Sequence, residues 1–483
     1  MKYLNIYSKL FCCVQLLGLF FFVLPLVAAG ETGHSVLQEE KQWGGDFDVL
    51  KEKGAIRVLV PVSNPHFFVD GFKKYGTAPA LINEFQDYLN KNVVKDSFVR
   101  AIIIPASRVT IVDRLVAGYG DLIVANLTVT EERLKKVSFA TPVATGVKEI
   151  VVAAPGSPVL HSLSDLSGKK VYTRSFSSYY EHLLRLNKVL EDQGLAPVII
   201  ELIPNQLEDD NLLALVNEGL LPYTVLDHRK VELWQEIYNK VVSYPNLAID
   251  TNGSIAWVVR KDSPKLLQIV SDFSLSHQNA PIDLEGIRKS TEKEFIHLLN
   301  LANEDVNMFK TLYPTFKKAG VQNNIPPLLL AALAFERSGF SEEKVGYNGG
   351  LGLMQLAPFI EREVAVESGE GDVSELESHV AAAARYMAYL RDNKFSDLAD
   401  DPKEQLLFVI AAYLNGPEKI NEMRWITAGM GKNGNEWFNE VNVTVSRLIG
   451  RETVRAVRAI ALYWISYGMA IDSGRIVLSE DIE

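Results

Sequence analysis

The feature that most limits what this chain can become is a change of pattern part-way along it. Up to about His277, short β-branched runs alternate with amphipathic stretches; the runs are "AIRVLVPV", "AIIIP", "DLIVANLTV", "EIVVAAP", "KKVYT" and "SIAWVVRK". Such alternation predicts an α/β domain. From about Val306 onward the apolar residues return at helical spacing, as in "PPLLLAALAF", "HVAAAARYMAYLRD", "EQLLFVIAAYL" and "TVRAVRAIALYWISY". That half predicts an all-α domain. A charged connector at 279–304 separates them, and 483 residues are too many for a single ordinary core. The expected folding units are therefore 46–278 and 305–470.

The first 29 residues read as an export signal. Lys2 and Lys9 precede a run rich in Leu, Phe and Val, and Ala28 and Ala29 offer small residues for cleavage before Gly30. The run also has roughly the length of a membrane span, so an uncleaved anchor is the alternative. Both cysteines, Cys12 and Cys13, lie within it, ahead of the apolar run's end rather than at a lipoprotein position. A cleaved chain has no cysteine and relies on its cores rather than on disulfides.

Charge and histidine content narrow the partners. Of 49 Lys/Arg and 60 Asp/Glu, only Lys2 and Lys9 fall in the leader, so the remainder carries a net charge of −13. No basic block is present, which argues against a nucleic-acid partner. The eight histidines are scattered without a zinc-type spacing, so neither a metal nor a cofactor is expected.

The segments "DFDVLKEKGAIRVLVPVSNPHFF" and "GDLIVANLTVTEERLKKVSFATPV" give the first half a resemblance to the periplasmic solute-binding proteins of the amino-acid type. The resemblance implies two lobes around a cleft, with Thr128 and Arg133 holding a ligand's α-carboxylate. A guanidinium suits that task because its planar fork of donors matches a carboxylate. Alternatively Arg133, within "EERLKK", is an exposed helix residue. In "NEGLLPYTVLD", Pro222 replaces an acidic residue of the pattern; Asp227 remains as an ammonium-binding candidate or as an ordinary strand-end Asp. Phe67 and Phe68 suit either ligand stacking or the core.

The second half carries "LLLAALAFERSGF", "GGLGLMQLAP", "AAAARYMAYL", "FVIAAYLNGP" and "RETVRAVRAI" in that order. With the first half, these motifs resemble the membrane-bound lytic murein transglycosylase F family. The implied architecture is an α/β two-lobed periplasmic-binding-protein-like domain followed by an all-α lysozyme-like domain. The implied chemistry is cleavage between N-acetylmuramic acid and N-acetylglucosamine without water, yielding a 1,6-anhydro sugar. One carboxyl acts first as acid and then as base, so it must hold its proton near neutral pH.

The family pattern reads Tyr-Gln-Glu-Ser-Gly-Phe, then a Gly-rich turn and Gly-Leu-Met-Gln-Leu. Aligned without a gap, Ser338, Gly349, Gly352, Leu353, Met354 and Gln355 keep register, Glu336 takes the Gln place and Arg337 takes the acid's place. Arg cannot donate the proton. Glu336 as the acid requires a shift of about 100° around the helix, and the adjacent cation is expected to lower its pKa. Leu414 stands where the pattern has Asn, with Asn415 one residue late, and Ala456 stands where it has Tyr; Tyr413 is retained. Glu361 and Glu363 look like an ordinary charged helix face.

Three functions follow. The first is a degenerate transglycosylase that grips glycan strands through Ser338, Met354, Gln355 and Tyr413 while its first domain senses a small amino-acid or muropeptide-like carboxylate. The second is an active enzyme with Glu336 as acid and base. The third is a transport-type binding protein with an inert helical appendage. An exported protein of the periplasm or outer-membrane envelope fits the first two, with a membrane surface as a further partner.

Overall fold

A computed structural model describes residues 42–278 and 303–478, apart from 64, 92–97, 205–206, 347–348, 351, 358–359 and 361–375. The leader at 1–29 and the connector from 279 to 302 lie outside the described residues, as do Glu361 and Glu363. The last two connector residues already begin a helix, Asn303–Asn323.

Each of the six β-branched runs forms a strand. The strands are β1 Ala55–Val60, β2 Phe68–Asp70, β3 Lys73–Tyr75, β4 Arg100–Pro105, β5 Leu122–Thr128, β6 Ser138–Phe139, β7 Ala144–Ala153, β8 Lys170–Thr173, β9 Ile199–Leu202, β10 Tyr223–Asp227 and β11 Val242–Val259. Nine of them join in the order β4-β1-β5-β11-β7-β10-β8-β9, with β6 paired to β11; β2 and β3 form a separate hairpin. β1 runs parallel to β4 and β5, and β8 runs parallel to β9 and β10. The long strands β7 and β11 pair antiparallel and pass from one group to the other, which makes two lobes. Their register slips repeatedly between Tyr244 and Ile255, so the crossing is an irregular ladder rather than a stiff one.

The first lobe is anchored by a charged cluster. Asp121 and Arg57 are fully buried, and the carboxylate accepts from Arg57 Nε at 3.1 Å, Arg57 Nη2 at 3.0 Å and Arg260 Nη1 at 3.2 Å. A carboxylate so enclosed is tolerable only because paired cations and hydrogen bonds replace water.

The four helical runs form helices Pro327–Ser338, Leu376–Tyr389, Pro402–Asn415 and Arg451–Asp472. Asn303–Asn323 buries Phe309, Leu312, Phe316 and Ala319, the i, i+3, i+7, i+10 stripe that its charged composition obscures. One contiguous apolar core runs from the second lobe (Leu213, Trp234) into the helical domain (Ile410, Leu462, Ile476), whereas the first lobe has cores of its own. The second lobe and the helices thus form one packed body. The first lobe meets that body mainly through polar contacts: Gly71 N–H and Ser446 Oγ–H donate to Ser446 O and Val69 O, and Arg451 lies over the Phe68 ring.

Among the described residues no helix is long and apolar enough to cross a membrane, and no cluster of His, Cys, Asp or Glu has the makings of a metal site.

Candidate functional site

The helix Pro327–Ser338 begins at Pro326-Pro327 and is buried from Leu329 to Ala334. It ends because Gly339 adopts a left-handed φ of 64° and returns its N–H to Phe335 O at 2.8 Å. Glu336, Arg337 and Ser338 therefore occupy the last turn. Ser338 is buried, its hydroxyl donating to Ala334 O at 2.8 Å.

Glu336 is half-buried and faces the helix Arg451–Asp472, where Arg455, Glu452 and Tyr463 act on it electrostatically. Burial pushes its carboxyl up to about 7, against the pull of Arg455, Arg337 and Lys344. The carbonyl end of its own helix also disfavours the anion. Arg337 acts in the expected direction, but the net shift is upward because removing a carboxylate from water outweighs a neighbouring guanidinium directed elsewhere around the helix. Burial likewise raises the Tyr463 phenol, reinforced by Glu336, and the Tyr463 ring meets Phe335 edge-on at 4.9 Å. Arg337 is itself half-buried, with a buried Nε that finds no hydrogen-bond partner among the described residues.

The Gly-rich turn folds closely on itself. A Cβ at Gly350 would lie 2.4 Å from the carbonyl oxygens of Gln355 and Leu356, so only glycine fits there. Gln355 adopts a φ of 46°. Tyr413 donates its hydroxyl to Met354 O at 2.9 Å, tying the turn to the helix Pro402–Asn415. The four residues expected at the glycan are all buried: Ser338 is 4% exposed, Met354 1%, Gln355 3% and Tyr413 6%. Leu414 packs against the apolar core, and Asn415 Nδ2 donates to Thr453 Oγ1 at 2.8 Å.

In the cleft, Arg133 is not the exposed residue of a charged run. Its guanidinium donates to Thr128 O at 2.7 Å and, across the cleft, to Phe176 O at 2.9 Å, and burial lowers its pKa. Thr128 Oγ1 lies 3.1 Å from Ser178 Oγ, which is 2.6 Å from Glu149 Oε1. Asp227 caps the helix His228–Trp234 and holds Arg229 Nη2 at 2.9 Å, which is the strand-end reading of that residue. Phe67 and Phe68 are core residues, Phe68 stacking on Tyr75 at 5.2 Å.

Sequence reading missed the charges that close the cleft. Arg108 of the first lobe reaches Glu208 of the second at 3.0 Å, and Glu208 also accepts from Arg174 Nη1 at 3.0 Å. Arg174 and Lys230 both pair with Asp209. Arg108 and Lys230, with Arg174, hold the Glu208 and Asp209 carboxyls below their usual range against the opposing effect of burial. Partners 100 positions apart leave no local pattern in a sequence.

A two-lobed binding fold packed onto a lysozyme-like helical domain is the class that this geometry defines. Residues 56–283 match the family described as bacterial extracellular solute-binding proteins, family 3, and residues 314–438 match the transglycosylase SLT domain. A membrane-bound lytic murein transglycosylase F from Desulfosudis oleivorans is 24% identical over 365 residues, covering 72% of this chain and 77% of its own. One from Aeromonas hydrophila is 25% identical over 397 residues, covering 80% and 74%. Among solved structures, an ancestral arginine-binding protein bound to arginine aligns over 49% of this chain and 97% of its own, at 22% identity and a TM-score of 0.38. In its two matched domains and along most of its length, the chain resembles the membrane-bound lytic murein transglycosylase F proteins.

Proposed function

We propose that this protein engages murein glycan strands in the cell envelope through its helical domain, with turnover weak or lost, and that its first domain senses a small carboxylate. The observation that carries the reading is the cation at the acid's place: Arg337 follows Glu336 in the last turn of the helix, while Leu414 and Ala456 replace two further polar groups of the family pattern. The turn of Gly350, Met354 and Gln355, close-packed on itself and braced by Tyr413, supports a retained glycan-binding fold. Arg133 and Thr128 are the residues we assign to the sensed ligand, with Asp227 engaged by Arg229 at the strand end. The working division into 46–278 and 305–470 rests on the matched segments.

One observation favours a second reading, an active enzyme cleaving the MurNAc–GlcNAc bond. Glu336, with its pKa pushed up to about 7, holds its proton over the range where a general acid is needed. In that reading the carboxyl protonates the glycosidic oxygen and then removes the proton of the muramyl C6 hydroxyl as it closes on C1.

Sedimentation with insoluble murein and analysis of the released sugars separate the two. We expect the wild type to co-sediment yet release little or no 1,6-anhydro product. Arg337→Glu should gain some turnover, and the triple change with Leu414→Asn and Ala456→Tyr more, without simple additivity. Robust wild-type turnover abolished by Glu336→Gln establishes the second reading instead, and failure to co-sediment removes both.

A further inference from the structure

At the end of the helix Pro327–Ser338 one cation is left without a counter-ion. Arg337 is half-buried and its Nε is enclosed with no hydrogen-bond partner among the described residues. Its two Nη groups keep accessible surface and bond to no described residue. A cation in the last turn suits the helix dipole, which accounts for the charge but not for drawing part of the guanidinium out of water with nothing in exchange. An anion on the open Nη side offsets that cost.

Nothing nearby already supplies the anion. Burial pushes the Glu336 carboxyl up to about 7, so below that pH it is mostly protonated and does not cancel the guanidinium. Glu452, which also acts on Glu336, is held by Arg455 at 2.9 Å. Lys344 adds positive potential at the same carboxyl, with exposed Glu342 and Glu343 beside it in the chain to offset it. Ser338, Met354, Gln355 and Tyr413 are buried, so Glu336 and Arg337 are the polar side chains left partly open among those the sequence pointed to here.

We infer that Arg337 takes a carboxylate of the bound glycan strand, so that the place of the family's acid reads strand charge instead of donating a proton. The inference rests on the reading that the helical domain holds murein, and it names which strands: those with a free carboxylate close to the sugar. The planar fork of a guanidinium fits that group in two parallel bonds. N-acetylmuramic acid differs from N-acetylglucosamine by a lactyl ether, whose carboxyl is free once the stem peptide has been removed. The same chemistry is offered by the terminal carboxylate of a stem peptide that is still attached.

The full-length protein is titrated, below the Glu336 pKa of about 7, with soluble glycan strands stripped of their peptides, with the same strands after conversion of their carboxyls to amides, and with peptide-bearing strands. The wild type is expected to bind free-carboxyl strands about tenfold or more tightly than amidated ones, by a margin that shrinks as salt is added. Arg337→Gln should bind both at the amidated level, and Arg337→Lys should keep part of the margin. Weaker binding of peptide-bearing strands assigns the carboxylate to the lactyl group, and equal binding assigns it to the stem. The inference is overturned if the wild type does not distinguish free from amidated strands, or if the distinction survives Arg337→Gln. Should that variant not fold, the wild-type comparison and Arg337→Lys decide. Binding without discrimination defeats this inference alone, whereas binding of no strand at all defeats the murein reading as well.

Discussion

In the cleft, the side chains expected to hold a ligand are of the expected types, and each already holds a group of the protein itself. In the helical domain the expected types are missing at three positions, yet the carboxyl beside them has the proton affinity that an acid requires. Arg133 donates to two backbone carbonyls, and Asp227 is occupied by Arg229. Glu336, in contrast, is set near neutrality by burial rather than by a specific partner. Retention of a residue type is therefore a weak guide to its availability, and loss of one a weak guide to the chemistry left behind. The regions also differ in what holds them: charges across the cleft, apolar packing in the helices.

The sharpest way to break this contrast is to remove the charge at the centre of the cleft. Glu208→Ala leaves Arg108 and Arg174 facing each other with little water, and should destabilise the protein by about 3–5 kcal/mol in urea denaturation. A loss below about 1 kcal/mol would mean that the cleft does not depend on its own ion pairs. Arg133→Ala should have a smaller effect, about 2 kcal/mol, by deleting charge-assisted bonds to Thr128 O and Phe176 O. It should also erase any rise in Tm produced by a cleft ligand, and an unchanged rise moves that ligand elsewhere.

The smallest effect tests the helical side. The Glu336 carboxyl has its folded pKa raised, so its protonated form favours the fold: the contribution is complete below the ordinary value of 4.5 and is lost as pH climbs through about 7. Glu336→Gln mimics the protonated form and should remove about 1–2 kcal/mol of the stability decline between pH 4.5 and 7.5. Glu404, raised to about 7 in the same way but accepting the Trp437 N–H at 2.8 Å, keeps its share of the decline in that variant. An unaltered pH profile in Glu336→Gln would place the carboxyl in water and weaken the case for an acid.

Much of the architecture was legible in the sequence because strands and helices report on their neighbours two, three or four residues away. The runs "AIRVLVPV" and "DLIVANLTV" became β1 and β5, and "TVRAVRAIALYWISY" became the long helix facing Glu336. Less legible were short β6 and β9, whose two to four residues carry too little pattern to stand apart from loop.

The sequence by itself determined the two textures, the turn glycines, and the presence of Arg337, Leu414 and Ala456 where the family has other groups. Only the tertiary structure decided that Arg133 spans the lobes and that Arg108 finds Glu208, because ion pairs across a cleft depend on distances that no local spacing encodes. It also decided the direction of the Glu336 pKa. Sequence shows the adjacent cation, but desolvation depends on how closely Tyr463, Arg455 and the rest of the fold surround the carboxyl, and here burial is the larger effect.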